Sequence, residues 1–181
     1  MRIVAGEYGG RALITPKNRE VRPTSDKIRG AIFNMLHSRG CVEGVDALDA
    51  FCGTGALGLE ALSRGAAHCT FLDKSRVSLD LAKENAANLE AMDLCEFKLR
   101  DATILRDTKK PYELIFLDPP YFKGLAPVAL ERMAQHGWIE KGAWIVCETE
   151  KKCDDDFPTH FEIDVQKTYS DIKVTILRYD A

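Results

Sequence analysis

The sequence predicts an open α/β fold. It should hold a Rossmann-like, mostly parallel sheet with helices on both faces, an antiparallel strand pair at the C-terminal edge, and a small N-terminal β-hairpin and helix ahead of the sheet. Three observations predict it. From Val45 onward, short apolar runs alternate with amphipathic stretches of helical period. A glycine-rich loop, Gly53-Thr54-Gly55, directly follows the first of those runs. Two long segments of strand character, 161–169 and 173–179, succeed one another with no helix between them.

The elements follow in order. Arg2–Ala5 and Ala12–Thr15 flank Gly6-Glu7-Tyr8-Gly9-Gly10, a turn whose glycines tolerate positive φ, and so form the hairpin. Pro16 to Pro23 is a polar, basic loop. Thr24 or Ser25 can cap the helix that carries Ile28, Ala31, Ile32 and Met35 at helical spacing and stops near Ser38-Arg39-Gly40. Val45–Ala50 is a strand. Ala56–Arg64 is a helix closed by Gly65, which suits the left-handed conformation at a helix end. His68–Leu72 is a strand, and Ser75–Leu89 a helix with Leu81, Ala82, Ala86 and Leu89 on one face. Strands at Glu96–Leu99 and Tyr112–Leu117, a helix at Leu125–His136 and a strand at Ala143–Glu148 complete the alternation before the final pair. Residues 1–40 are expected to form an appendage and 41–181 the main domain.

The net charge of −3 excludes a protein coated evenly with basic side chains, but the charge is unevenly placed. Residues 1–29 hold seven Arg or Lys and three Asp or Glu, a surplus of four positive charges that leaves the remainder at −7. A basic segment on an acidic body is suited to phosphate contact, although a solvated surface segment would look the same. The six cysteines lie scattered, with no Cys-x-x-Cys pair and no histidine at ligand spacing, so buried reduced thiols are expected and no metal site. The opening residues carry no secretory apolar stretch and no run reaches membrane-spanning length, which points to a cytoplasmic chain.

The run from Asp49 through Phe51, Gly53 and Gly55 to Gly58 leaves a strand and opens a helix, the place where open α/β sheets bind ligands. Its glycine spacing alone also fits a dinucleotide site, which would suit an NAD-dependent oxidoreductase. Two carboxylates favour S-adenosylmethionine. Asp49, at the strand end, can hold a cationic amino group but would repel a pyrophosphate. Asp73, at the end of the next strand and followed by Lys74, can accept both ribose hydroxyls. Asp101, followed by Ala102, can accept from an adenine amine, or can simply organise its loop.

The sharper signal is Asp118-Pro119-Pro120-Tyr121 at the end of an apolar strand. Two prolines fix the backbone and remove two N–H donors, leaving the Asp118 carboxylate and the Pro119 carbonyl as acceptors able to grip one –NH2 group. Tyr121 offers a ring on which a base can stack, an interaction of about 1–3 kcal/mol. An exocyclic amine conjugated into its ring is a poor nucleophile. Acceptors for its hydrogens favour the positive charge that develops as it attacks.

Together these residues resemble the RsmD-like family of 16S rRNA guanine-N2 methyltransferases. The likeness extends over nearly the whole chain. It includes Met1-Arg2-Ile3-Val4-Ala5-Gly6, the arm Arg22-Pro23-Thr24-Ser25-Asp26-Lys27-Ile28-Arg29, and Gly55-Ala56-Leu57-Gly58-Leu59-Glu60-Ala61-Leu62. The resemblance implies a class I methyltransferase fold and a guanine in 16S rRNA as substrate, presented within a small ribosomal subunit or an assembly intermediate. It implies that the hairpin and arm engage RNA, with Arg2, Arg11, Arg22 and Lys27 as the candidate contacts, or close over the cofactor. A monomer is expected. Cys52 stands where the family commonly has alanine, and Ser170 near where relatives often carry glycine before the last strand.

Rival readings are a DNA amine methyltransferase, a protein glutamine methyltransferase, the oxidoreductase above, and an RNA-binding module without catalysis. No separate target-recognition domain fits within 181 residues, and no second region supplies hydride chemistry. The presence of Asp49, Asp73 and Asp118 argues against a purely binding role.

Overall fold

Strand-forming apolar runs and amphipathic helices assemble into a seven-stranded sheet in the computed structural model, which describes residues 1–16, 25–153 and 156–181. The strands are β1 (Asp46–Ala50), β2 (His68–Asp73), β3 (Cys95–Leu99), β4 (Tyr112–Leu117), β5 (Ile139–Glu150), β6 (Phe161–Tyr169) and β7 (Ile172–Tyr179). The helices are α1 (Asp26–His37), α2 (Ala56–Ser63), α3 (Arg76–Asn88) and α4 (Leu125–Gln135). The sheet order is β3-β2-β1-β4-β5-β7-β6. β1 to β5 pair in parallel, while β7 runs antiparallel to both β5 and β6.

The side-chain alternation of β4 shows how the layers form. Leu114 and Phe116 face one hydrophobic cluster, built with α1, α2, α3 and the N-terminal segment, and Ile115 and Leu117 face the other, built with α4. Phe33 of α1 packs on Phe116 with ring centroids 5.5 Å apart. Ile3, Tyr8, Leu13, Ile28 and Ile32 belong to the same cluster as the sheet residues Ala47 and Phe71, so the core runs without a break across residue 40.

The hairpin is slighter than two four-residue strands. Main-chain bonds join Ile3 to Arg11, Gly10 to Ile3 and Leu13 to Met1, with one bridge, Arg2 to Ala12. The reason is where the other N–H groups go. Val4 and Ala5 donate to the Glu60 carboxylate at 2.8 and 3.1 Å, and Ile14 donates to Asn85 Oδ1 at 2.7 Å. Docking on α2 and α3 takes the place of ladder bonds. Of the two proposed caps for α1, Ser25 accepts from Ile28 N at 3.2 Å, and Thr24 lies outside the described residues.

Three further departures have local causes. β5 begins at Ile139, earlier than the apolar run at Ala143, because its register against β4 shifts at a bulge where Gly142 takes φ +80°. The polar pair Glu140-Lys141 gave no strand signal. α3 buries Leu79, Ala82, Asn85 and Ala86, and Leu81 is half-buried, so the buried face includes a polar residue that apolar periodicity omits. Ser170 adopts φ +57° in the two-residue connection between β6 and β7. The hairpin therefore forms with serine in a left-handed position that glycine would occupy at lower cost.

All six cysteines are free thiols, four of them buried, and burial pushes the Cys41 thiol up to about 11. No helix among the described residues is long and apolar enough to cross a membrane.

Candidate active site

β1 and β4 end level with one another, while β5 runs on to Glu150. Ala50 pairs with Leu117, and Leu117 pairs with Cys147. The next residues along, Phe51, Asp118 and Glu148, therefore leave or continue from neighbouring positions at the carboxyl end of the sheet. This register puts the glycine loop and the Asp-Pro-Pro-Tyr segment side by side.

The chain turns abruptly after β1. Phe51 has φ +64°, an unusual conformation for a residue with a large side chain, costing about 1–2 kcal/mol. It is fixed on either side by the strand and by Cys52 N donating to Leu72 O at 3.0 Å. Gly53 and Gly55 follow with φ +53° and +78°. The glycines have separate duties. A Cβ on Gly53 would meet nothing within 4 Å, so open space lies beside that backbone. A Cβ on Gly58 would sit 2.5 Å from Phe71 and 2.6 Å from Cys69 Sγ, so this glycine lets α2 pack tightly on β2.

Asp49 is 1% exposed, and its Oδ2 accepts from Gly58 N at 2.9 Å. Gly55 at the start of α2 has no side chain to cap the helix, so the strand carboxylate does that work from below. Burial pushes the Asp49 carboxyl up to about 8, against the pull of the Gly58 N–H, and the nearby Asp73 charge adds to the rise. Asp73 spans two elements: Oδ2 accepts from Gly53 N at 3.1 Å and Oδ1 from Ser75 N at 2.8 Å. Asp49, Gly53 and Asp73 are thus one cluster. Lys74 is exposed beside it.

Asp101 lies after β3. Its Oδ1 accepts from the Thr103 hydroxyl at 2.6 Å and from Thr103 N at 2.9 Å. These bonds, helped by the charge of Lys74, hold its carboxyl below the usual carboxylate range. The loop-organising alternative for Asp101 accordingly has a concrete geometry. Ala102 is 1% exposed and belongs to the α4-side core.

Asp118 is half-buried, Pro119 buried and Pro120 exposed. Tyr121 packs partly against the core, and its hydroxyl donates to Glu148 Oε1 at 3.2 Å. Phe122 N donates to Glu150 Oε1 at 3.0 Å. Glu148 is 1% exposed. Sequence reasoning missed both glutamates. The signal was present as acids at alternate positions of Glu148-Thr149-Glu150 directly after an apolar strand. It also missed Asn85, which donates to Thr54 O in the glycine loop at 2.9 Å and to Ile14 O at 3.0 Å, tying the hairpin to that loop.

The four basic candidates are placed differently from one another. The Arg2 side chain is 69% exposed, with Nε 3.6 Å from Asp26. Lys27 is exposed on α1. Arg11 donates to Leu89 O at 3.2 Å and to Asn88 O, so its guanidinium caps the C-terminus of α3. Arg22 lies outside the described residues.

Residues 1–178 match the family described as Conserved hypothetical protein 95. The chain belongs to this family. It is 34% identical to Ribosomal RNA small subunit methyltransferase D of Escherichia coli over 150 residues, covering 83% of this chain and 75% of that one. It is 31% identical to YlbH of Bacillus subtilis over 179 residues, covering 97% and 91%. Among solved structures, yhhF of Escherichia coli superposes with a TM-score of 0.88 at 30% identity, covering 100% and 98%. The RsmD-like family is the one the sequence resembled, and the class I methyltransferase sheet of the family is the sheet described above.

Proposed function

We propose that this chain transfers the methyl group of S-adenosylmethionine to the exocyclic N2 amine of a guanine in 16S rRNA, presented in a small ribosomal subunit or an assembly intermediate. The observation that carries this reading is the parallel register of β1 and β4, in which Ala50, shortly before the glycine loop, pairs with Leu117, just before Asp118-Pro119-Pro120-Tyr121. The residues suit the cofactor: space is open beside the Gly53 backbone, and two carboxylates, Asp49 and Asp73, stand around that loop.

In this reading Asp73 accepts from the ribose hydroxyls, Asp101 and Ala102 border the adenine, and Phe51, Gly55 and Lys74 complete the cofactor site. When bound, S-adenosylmethionine supplies an electrophilic methyl on sulfonium. Asp118 and the Pro119 carbonyl accept the amine hydrogens and hold nitrogen in line with that methyl. Pro120 keeps the turn rigid and Tyr121 takes the base face. The guanine must leave its stack to reach them. Residues 1–40, with Arg2, Lys27 and Arg22, contribute the RNA-engaging surface, and 41–181 the transfer domain. The chain acts as a cytoplasmic monomer.

The test is tritium transfer from labelled cofactor to unmethylated small subunits, DNA and protein. Label at guanine N2 of 16S rRNA is expected, and label confined to DNA or protein glutamine would overturn the reading.

A pH prediction follows from Asp49. Its carboxyl titrates near 8 in the folded chain, well above the ordinary value for aspartate, so the ligand-free protein holds that proton at neutral pH. The contribution to stability is full at acidic pH below the ordinary value and is lost as pH rises through about 8. A cationic amino group arriving beside Asp49 favours ionisation. Binding of S-adenosylhomocysteine at pH 7 should then release a proton and tighten toward pH 8. Calorimetry in buffers of different ionisation enthalpy measures this, and equal proton counts for wild type and Asp49→Asn would refute it.

A further inference from the structure

We infer that Phe122 contacts the RNA, stacking on a nucleobase that flanks the methylated guanine and not on that guanine itself. This rests on the proposed function and adds a residue to it. Phe122 is 81% exposed, the one exposed Phe, Tyr or Trp among the described residues. It directly follows the Asp-Pro-Pro-Tyr segment.

Its exposure is imposed by the structure around it. The backbone is left-handed at φ +60°, a conformation disfavoured for a residue with a large side chain. Two carboxylates at alternate positions of β5 hold consecutive residues of the loop. Glu148 takes the Tyr121 hydroxyl, and Glu150 takes the Phe122 N–H. Gly124, with φ +58°, then starts α4 at once. Apart from its edge contact with Tyr121, the apolar ring of this strained residue stands in water, and such strain collects where a ligand is met.

The ring geometry chooses between bases. The Phe122 and Tyr121 rings stand 6.4 Å apart at 88° to one another. A base lying flat on Tyr121 cannot also lie flat on Phe122. Extruding one nucleotide leaves its neighbours with an uncovered face, and a perpendicular phenyl ring beside the extruded base is placed to cover one.

The experiment measures methyl transfer from S-adenosylmethionine to small subunits from cells lacking this methylation, using full-length Phe122→Ala, Phe122→Leu, Phe122→Trp and Phe122→Gly. For Ala and Leu, KM for the subunit should rise about 5- to 150-fold, the range for one lost base stack. Affinity for S-adenosylhomocysteine should not change. The Trp variant should stay close to wild type. The Gly variant should lose substrate affinity like Ala yet melt no lower than wild type, because glycine relieves the left-handed backbone. A purely structural phenylalanine would instead lower the melting temperature in Ala and Gly alike and leave KM unmoved. Wild-type KM in Phe122→Leu, or a loss confined to cofactor affinity, would overturn the inference and leave the proposed function standing. Absence of label with the wild-type chain would overturn both.

Discussion

Asp118→Ala is expected to slow methyl transfer by about 10²- to 10⁴-fold, the range for removing one group that manages charge or protons at a reacting centre. Affinity for S-adenosylhomocysteine should stay near wild type, because Asp49, the glycine loop and Asp73 lie on and between β1 and β2, whereas Asp118 follows β4. The loss should appear in single-turnover rate and not in subunit binding, since the carboxylate acts most strongly as nitrogen becomes positive. Asp118→Asn keeps one acceptor oxygen of the same reach and should retain more activity than alanine. Single-turnover kinetics with labelled cofactor, paired with calorimetry, measures both. An alanine variant with wild-type rate would remove Asp118 from the chemistry.

Replacing Glu60 should produce the largest change in stability. Glu60 and Arg29 are both fully buried. Glu60 Oε1 accepts from Ala5 N at 3.1 Å and Arg64 Nε at 2.8 Å, and Oε2 accepts from Val4 N at 2.8 Å and Arg29 Nε at 3.4 Å. Arg29 in turn donates to Arg2 O and to Asp26 Oδ1 at 2.9 Å. One carboxylate thus fastens the hairpin, α1 and α2 together. Glu60→Ala strips a buried guanidinium of a counter-charge and deprives two N–H groups of their acceptor, at a cost of about 3–5 kcal/mol. That is a large part of the about 5–15 kcal/mol by which domains are usually stable. Removing both charges, as in Glu60→Leu with Arg29→Met, should cost less than the sum of the single changes, because neither is left buried alone. Denaturant titration gives the values. A Glu60→Ala midpoint matching wild type would show that the hairpin does not depend on this carboxylate.

Much of the fold was legible because local signals agreed. β4 and β6 match their expected limits, since strong apolar or alternating runs are bounded there by turn residues. The glycine loop and the Asp-Pro-Pro-Tyr segment were legible as motifs, and the parallel register pairs the strand ends that lead into them. What escaped was polar and long-range. Asn85 contributes nothing to an apolar periodicity, yet it bonds to residues 71 and 31 positions away. Glu60 gave no sequence signal of its own inside its helix, because its partners come from three separate segments. Arg11 looked like part of a phosphate-seeking arm because charge counting cannot see that α3 ends beneath it. Each of these satisfies backbone groups left over at an element's end, and those become identifiable only once the elements are assembled.

The position of β7 has a consequence for how the chain is made. Its eight residues, 172–179, bond to β5 on one side and β6 on the other. Until they emerge from the translating ribosome, β5 presents a long open edge and β6 has no neighbour to hold it. The last piece of the sheet to be synthesised is an interior one, so the sheet stays exposed to misassociation until β7 arrives and closes both gaps in a single step.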